Sequence, residues 1–465
     1  MAAEIQHDRM GIEKTMVLSD YLADGLGQLG LNIISGLIGQ LIYFYTDKVG
    51  LAAGAVATML LISKIIDAFT DLIMGKIMDN GKSPKGKCRP WFLRMAFPAL
   101  VLIPALFMIP AGLDVNGKLA FVLITNVLLS AIVFTAVAIP YGAIMALRTK
   151  SQEERSKMGI FRAALGYVSG MVIAIMVIPL TNMFGGDQQA WIKIGIIFGG
   201  IACLSFWILY HKSRETSNKN EIVSSEDNSE VEEVSFKEGV KILFRNKYWV
   251  YMLMVSLFSQ LSFGLSGATG AYYAKWVLGD DNLVALLGGI GLIPTFAGFL
   301  LVGPMVKKLG VTKTVYVSMA IAILGTAIRA FAPGSFILTV TAGLLPTFGM
   351  IPIMSLVGVM TNNCVDYNEW KTGKRLLGMT NSVTGFGGKV GVGLGASLTG
   401  WVLALGAYNA SLSVQPTSAI NAIYAIAVYI PLVLYIIIFI FAKKYESLEK
   451  MYPQIIAELA DRKNQ

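Results

Sequence analysis

Twelve mostly apolar stretches run along this chain, each near or above the roughly 20 residues a bilayer-crossing helix needs, and no other feature constrains its fold as tightly. They lie at roughly 22–46, 50–78, 91–111, 119–146, 158–184, 190–211, 248–277, 283–306, 314–332, 335–362, 379–407 and 419–442. The expected fold class is therefore all-α, a polytopic membrane protein with twelve transmembrane helices. Composition agrees: 55% of the 465 residues are hydrophobic and 14% charged, against about 25% charged in soluble domains. That balance excludes a soluble enzyme, a nucleic-acid partner, a disordered chain and a disulfide scaffold. Cys88, Cys203 and Cys364 have no paired spacing, and His7 and His211 lie outside the apolar stretches. The first 17 residues are polar and mixed in charge, so no cleavable signal peptide is expected.

The connections between stretches are short except at 212–247. There SRETSNKNEIVSSEDNSEVEEVS reads as a flexible linker and FKEGVKILF as a short amphipathic helix on the membrane surface. The expected organisation is an N-terminal six-helix bundle (1–211), the cytoplasmic linker (212–247), and a C-terminal six-helix bundle with a tail (248–465). Six helices plus six suggest two pseudo-symmetric bundles. With both termini placed in the cytoplasm, 29 basic residues fall on the inner side and four on the outer, Lys48, Lys118, Lys193 and Lys275. This positive-inside bias sets the orientation and accounts for the net charge of +9. Gly387, Gly391 and Gly395 form overlapping small-xxx-small motifs suited to close helix packing.

Five basic residues remain at membrane depth or near a helix end: Lys64, Arg94, Arg162, Arg329 and Lys389. Arg94 and Arg329 sit near helix ends, where a long side chain can snorkel. The deep acids are chiefly Asp67 and Asp71, spaced i, i+4 on one face of helix 2, with Lys64 on much the same face. Two carboxylates this close repel unless a cation or a proton intervenes. A hard monovalent cation prefers oxygen ligands, and the Thr70 hydroxyl offers another. The residues themselves leave a second reading open, a packing ion pair of Lys64 with one aspartate.

The run DAFTDLIMGKIMDNGKSPKGKCRPW and the run VDYNEWKTGKR, with Tyr45-Thr46-Asp47 and Ile139-Pro140-Tyr141-Gly142, resemble the signatures of the glycoside–pentoside–hexuronide:cation symporter family. The resemblance runs from about residue 20 to 443 and implies the major facilitator fold and import of a sugar or sugar acid by alternating access, coupled to Na+, H+ or Li+. It implies a bacterial cytoplasmic (inner) membrane protein, functional as a monomer, with no cofactor beyond the coupling cation and no enzymatic activity. It implies Asp67 and Asp71 as cation carboxylates, Thr135 as a hydroxyl ligand, Thr70 in place of the family's amide, and Lys64 as the coupling charge beside them. On the substrate side it implies Asn32, Tyr141, Arg162 and Lys389. For a cytoplasmic gate it points to Asp79, Arg89, Asp366 and Arg375, the last two in the loop between helices 10 and 11.

The departures from the family pattern bear on the substrate. Asn32 and Ala138 stand where melibiose-permease-type members carry sugar-binding aspartates, and Gly142 replaces an aromatic residue. Arg162 and Lys389 then have no acidic partner in prospect, which favours an anionic sugar such as a hexuronide. Neutral glycosides and pentosides remain open. Two other functions stay on the table: an uncoupled facilitator or exporter of the same fold, and a non-transporting membrane sensor.

Overall fold

The computed structural model describes residues 14–79, 86–149, 151–215, 236–374 and 376–463, and every regular element among them is helical. The chain divides into two compact units, 1–227 and 228–465. That boundary lies inside the 212–247 segment.

The first unit opens with α1 (Leu18–Gly39) and α2 (Leu41–Asp47), a single crossing stepped at Gln40. α3 (Ala53–Asp79) and α4 (Arg89–Ala105) follow. The fourth crossing runs from α5 (Val115–Val127) through a π-helical segment (Leu128–Phe134) into α6 (Thr135–Arg148). α7 (Gln152–Met183) and α8 (Gln188–Lys212) complete the unit. Phe44, Phe107 and Trp191 anchor one end of its core, with Phe44 5.0 Å from the Phe107 ring and 5.2 Å from Trp191.

The second unit begins with the surface helix α9 (Phe236–Arg245). Leu243 of α9 enters the core while Lys241, Phe244 and Arg245 stay exposed. Asn246 caps α10 (Lys247–Trp276), accepting from the backbone N–H groups of Tyr248 and Trp249. The eighth crossing is α11 (Leu283–Ile290) and α12 (Leu292–Leu309), and the ninth is α13 (Val311–Phe331). The tenth joins α14 (Phe336–Ala342) to α15 (Leu344–Thr372), and the eleventh is α16 (Leu377–Leu405). The last runs from α17 (Thr417–Tyr424) through a second π-helical segment (Ala425–Tyr429) into α18 (Ile430–Lys463). α10 and α16 meet backbone to backbone: a Cβ on Gly391 or Gly395 would strike the carbonyl oxygens of Leu257 or Leu261.

Ten of the helical runs are long and apolar enough to cross a bilayer. The two remaining stretches are α3, 27 residues long but bearing Lys64, Asp67, Asp71 and Lys76, and α4, whose 17 residues sit at the lower limit of about 17. Leu300, Ile337 and Phe97 are 77%, 70% and 68% exposed. Large bare apolar side chains on this scale suit a surface facing hydrocarbon.

Two expectations are corrected here. The VDYNEWKT motif is not a loop: α15 continues through it to Thr372 and stops at Gly373, whose φ is 72°. Val365, Tyr367 and Asn368 are buried, so the helix continues past the apolar stretch on an amphipathic face. The start of the linker is not loose either. Ser213 is fully buried, Arg148 donates to the Lys212 carbonyl at 2.7 Å, and Glu215 accepts from the backbone N–H groups of Lys87, Cys88 and Arg89 at 2.8, 2.8 and 2.9 Å. This carboxylate caps the positive N-terminal end of α4.

Candidate functional site

The α3 carboxylates face the fourth crossing. Asp67 is 1% exposed and Asp71 is half-buried. The Thr135 Oγ1 lies 3.0 Å from Asp67 Oδ1 and 2.8 Å from Asp71 Oδ1. A threonine hydroxyl has one proton, so it donates to only one of these oxygens at a time. The other oxygen contact is repulsive unless a cation or a proton sits among the three. Lys64 approaches from the far side, with Nζ 3.2 Å from Asp67 Oδ2. Thr135 and Lys64 thus meet different oxygens of the one Asp67 carboxylate.

Thr70 does not join this cluster. Its hydroxyl donates to the Asp67 backbone carbonyl at 2.9 Å, three residues back on its own helix. Short hydroxyl side chains readily take such intrahelical bonds. Three residues unmarked in the sequence do extend the polar seam. Ser63 donates to Asn126 Oδ1 at 2.7 Å and lies 3.3 Å from Ser130 Oγ, and all three are buried.

The π-helical segment explains how this seam reaches Thr135. Asn126 and Ser130 are four residues apart on one face, and a regular α-helix would put Phe134 next on it. The wider turn inserts a residue: the Thr135 backbone N–H reaches the Ser130 carbonyl five residues back. Thr135, not Phe134, therefore meets the carboxylates. Single π turns of this kind recur at functional sites.

Arg162 has an acidic partner, contrary to expectation. Its Nε and Nη2 donate to the two oxygens of Asp24 at 2.6 and 2.8 Å, a bidentate pair with Asp24 fully buried. Nη1 donates to the Tyr141 carbonyl at 2.9 Å, and the guanidinium lies 3.8 Å from the centre of the Tyr141 ring. The Tyr141 hydroxyl closes the cluster by donating to the Asp24 carbonyl at 2.7 Å. Asp24 stands two turns before Asn32 on α1, and that spacing was the available signal. Asn32 donates to the Gly166 carbonyl at 2.6 Å and to Ser169 Oγ at 2.9 Å, tying α1 to α7. Lys389 is half-buried on α16, in the second unit.

Of the gate residues, Arg89 donates through Nε to the Tyr210 carbonyl at 2.7 Å, with its guanidinium 4.5 Å from the Tyr210 ring. Asp366 accepts from the Tyr452 hydroxyl at 2.7 Å. Each has a partner inside its own unit. The Asp79 side chain and Arg375 lie outside the described residues.

An all-helical chain with ten described helices long and apolar enough to cross a bilayer, and a close carboxylate pair in its first unit, has the makings of a membrane carrier. The chain belongs to the MFS/sugar transport protein family, whose model matches residues 23–446. It is similar to the inner membrane symporter YicJ of Escherichia coli K12, 30% identical with 94% of this chain and 93% of the relative covered. It is similar also to an isoprimeverose transporter of Lactiplantibacillus pentosus, 28% identical over 96% and 92%. Among solved structures it shares the fold of a bacterial homolog of the human lysosomal transporter Spinster, with TM-score 0.65, 12% identity and coverage of 95% and 99%. The protein is thus a multi-pass membrane transporter of the sugar-transport branch and not an enzyme.

Proposed function

We propose that this transporter imports a neutral glycoside or pentoside together with a monovalent cation held by Asp67, Asp71 and Thr135. The observation that carries the reading is the single hydroxyl set 3.0 and 2.8 Å from two carboxylate oxygens. Asp67, Asp71 and Lys64 together carry one net negative charge, and a bound cation brings the group to neutrality. A neutral group is far less costly to enclose than a charged one, so loading favours the conformational change that carries the sugar across. Na+ is the preferred ion, because Thr135 adds a third oxygen ligand that a proton does not need.

The anionic-substrate argument weakens with Asp24 in place. Arg162 is already neutralised by Asp24, so its guanidinium does not call for a sugar acid. Membership in a sugar-transport family and the relative named as an isoprimeverose transporter support a sugar glycoside. The positive-inside count supports cytoplasmic termini, and the relative named as an inner membrane symporter supports a bacterial inner membrane. One chain holds the whole cation cluster, which supports a monomer as the working unit.

Proteoliposomes test this directly. An inward Na+ gradient should drive accumulation of a labelled xyloside or glucoside, and a glucuronide of the same aglycone should compete poorly. Accumulation driven only by a pH gradient would assign the proton instead. Equilibration with no uphill phase under either gradient would reject coupling.

A further inference from the structure

A cavity of about 210 Å³ lies within the second unit, and none of the cation or sugar candidates lines it. It could hold several waters at the ~30 Å³ each takes in the liquid. Ser266, Thr269, Tyr273, Arg329, Thr339 and Thr347 supply its polar wall, and no carboxylate is among the lining residues. Tyr273 and Thr339 are already engaged: the Tyr273 hydroxyl lies 2.6 Å from Thr339 Oγ1 and 2.5 Å from the Pro333 carbonyl. Arg329 is not. Its guanidinium sits 5.5 Å from the Tyr273 ring, its Nε is buried without a hydrogen-bond partner, and no ion pair reaches it among the described residues. A guanidinium whose Nε is buried without a partner is costly unless something it binds compensates.

The backbone around the cavity is broken in a repeated way. Gly291-Leu292-Ile293-Pro294-Thr295-Phe296 and Gly343-Leu344-Leu345-Pro346-Thr347-Phe348 differ at one position. The first marks the junction of α11 and α12, the second that of α14 and α15. Each proline removes a backbone donor, and each threonine hydroxyl donates to its glycine carbonyl, at 2.8 and 3.2 Å. The π-helical segment 425–429 supplies a third irregular helix. Ile290, Gly291, Gly343 and Ile426 bring all three breaks to the cavity wall. Irregular backbone inside a membrane span is tolerated where it lines a cavity, and in carriers it marks binding sites.

We propose that this cavity binds a small oxyanion group, a carboxylate, sulfonate or phosphate, with the Arg329 fork as its main donor and the Ser266 and Thr269 hydroxyls beside it. The same chemistry can arrive as a free solute anion or as the phosphate of an anionic lipid headgroup. The site is separate from the sugar and cation residues, so it stands or falls independently of the transport assignment.

The test uses the full-length purified protein and reads Tm. One arm adds millimolar sulfate, phosphate or acetate in detergent, with ionic strength matched by chloride. The other compares nanodiscs of phosphatidylcholine with and without phosphatidylglycerol. A rise of about 3 °C or more is expected in at least one arm. Response in the first identifies a solute anion, and response in the second alone identifies a lipid. Arg329→Gln should abolish the rise, and Arg329→Lys and Ser266→Ala should each reduce it. Wild-type protein with no response in either arm overturns the proposal, leaving a cavity that holds water only. So does a response left intact in Ser266→Ala and in whichever Arg329 variant folds.

Discussion

In the first unit, the charges at membrane depth come with opposites: Asp24 holds Arg162, and Lys64 meets Asp67 beside Asp71. In the second, the deep ionisable groups among the described residues are Arg329 and Lys389. The described acids of that unit lie toward helix ends and connections, at Glu238 on the surface helix, Asp280, Asp281, Asp366, Glu369 and the later part of α18. One architecture used twice therefore carries different electrostatics: a close acid pair within an apolar span of the first unit, and basic residues within those of the second. What the halves share is construction. Glu215 caps the N-terminus of α4, and Glu449 caps that of α13, accepting from Val311 and Thr312 at 2.7 and 2.9 Å. Each cap depends on a nearby glycine with positive φ, Gly86 at 104° and Gly310 at 85°, where a Cβ would meet the capping carboxylate. Scaffolding is symmetric across the halves, and charge chemistry is not.

The largest effect should come from the acid pair. Asp67→Asn or Asp71→Asn should abolish uphill sugar accumulation while exchange survives. The cation's gain in sugar affinity, about 5–150-fold in typically coupled systems, should vanish. Undiminished accumulation in either variant would leave the first half with no special electrostatic role. Next is the ion pair. Asp24→Asn strands Arg162 and should cost about 3–5 kcal/mol in thermal unfolding, whereas the double change Asp24→Leu with Arg162→Met should recover most of it. An unchanged Tm in Asp24→Asn would mean that Arg162 is not held as described.

A smaller effect separates the two ions. Thr135→Val should weaken Na+ binding about 10- to 100-fold in direct titration, and Thr135→Ser should restore most of it. Full coupling in the valine variant would favour a proton. The smallest effects probe the shared scaffold. Glu215→Gln and Glu449→Gln should each lower stability by about 1 kcal/mol, measured as Tm. A large difference between them would break the symmetry of construction.

The twelve crossings and their division at the linker were readable because apolar length is a coarse and redundant signal. The ends were less so. α15 runs on through Val365–Thr372 because a helix face with buried Val365, Tyr367 and Asn368 persists after average hydropathy falls. Asp67 and Asp71 stood out by spacing alone, but Thr135 came only through family resemblance, since α-helical periodicity points to Phe134. Asp24 escaped notice two residues into an apolar stretch, and with it the neutralisation of Arg162. Arg329 looked like a snorkelling residue near a helix end, because a cavity walled by six separate elements has no local signature.

The extra residue in the fourth crossing also changes what kind of mutation can damage the proposed cation site. One residue of an α-helix corresponds to about 100° of rotation. The segment 128–134 therefore acts as a phase insert, and α6 is turned relative to α5 by backbone geometry alone. Removing one residue there would leave Asp67, Asp71 and Thr135 all present in the sequence. The hydroxyl would nonetheless point away from the carboxylates. An alignment across such a chain would still show every ligand intact, so for this site the count of residues between Ser130 and Thr135 matters as much as their identities.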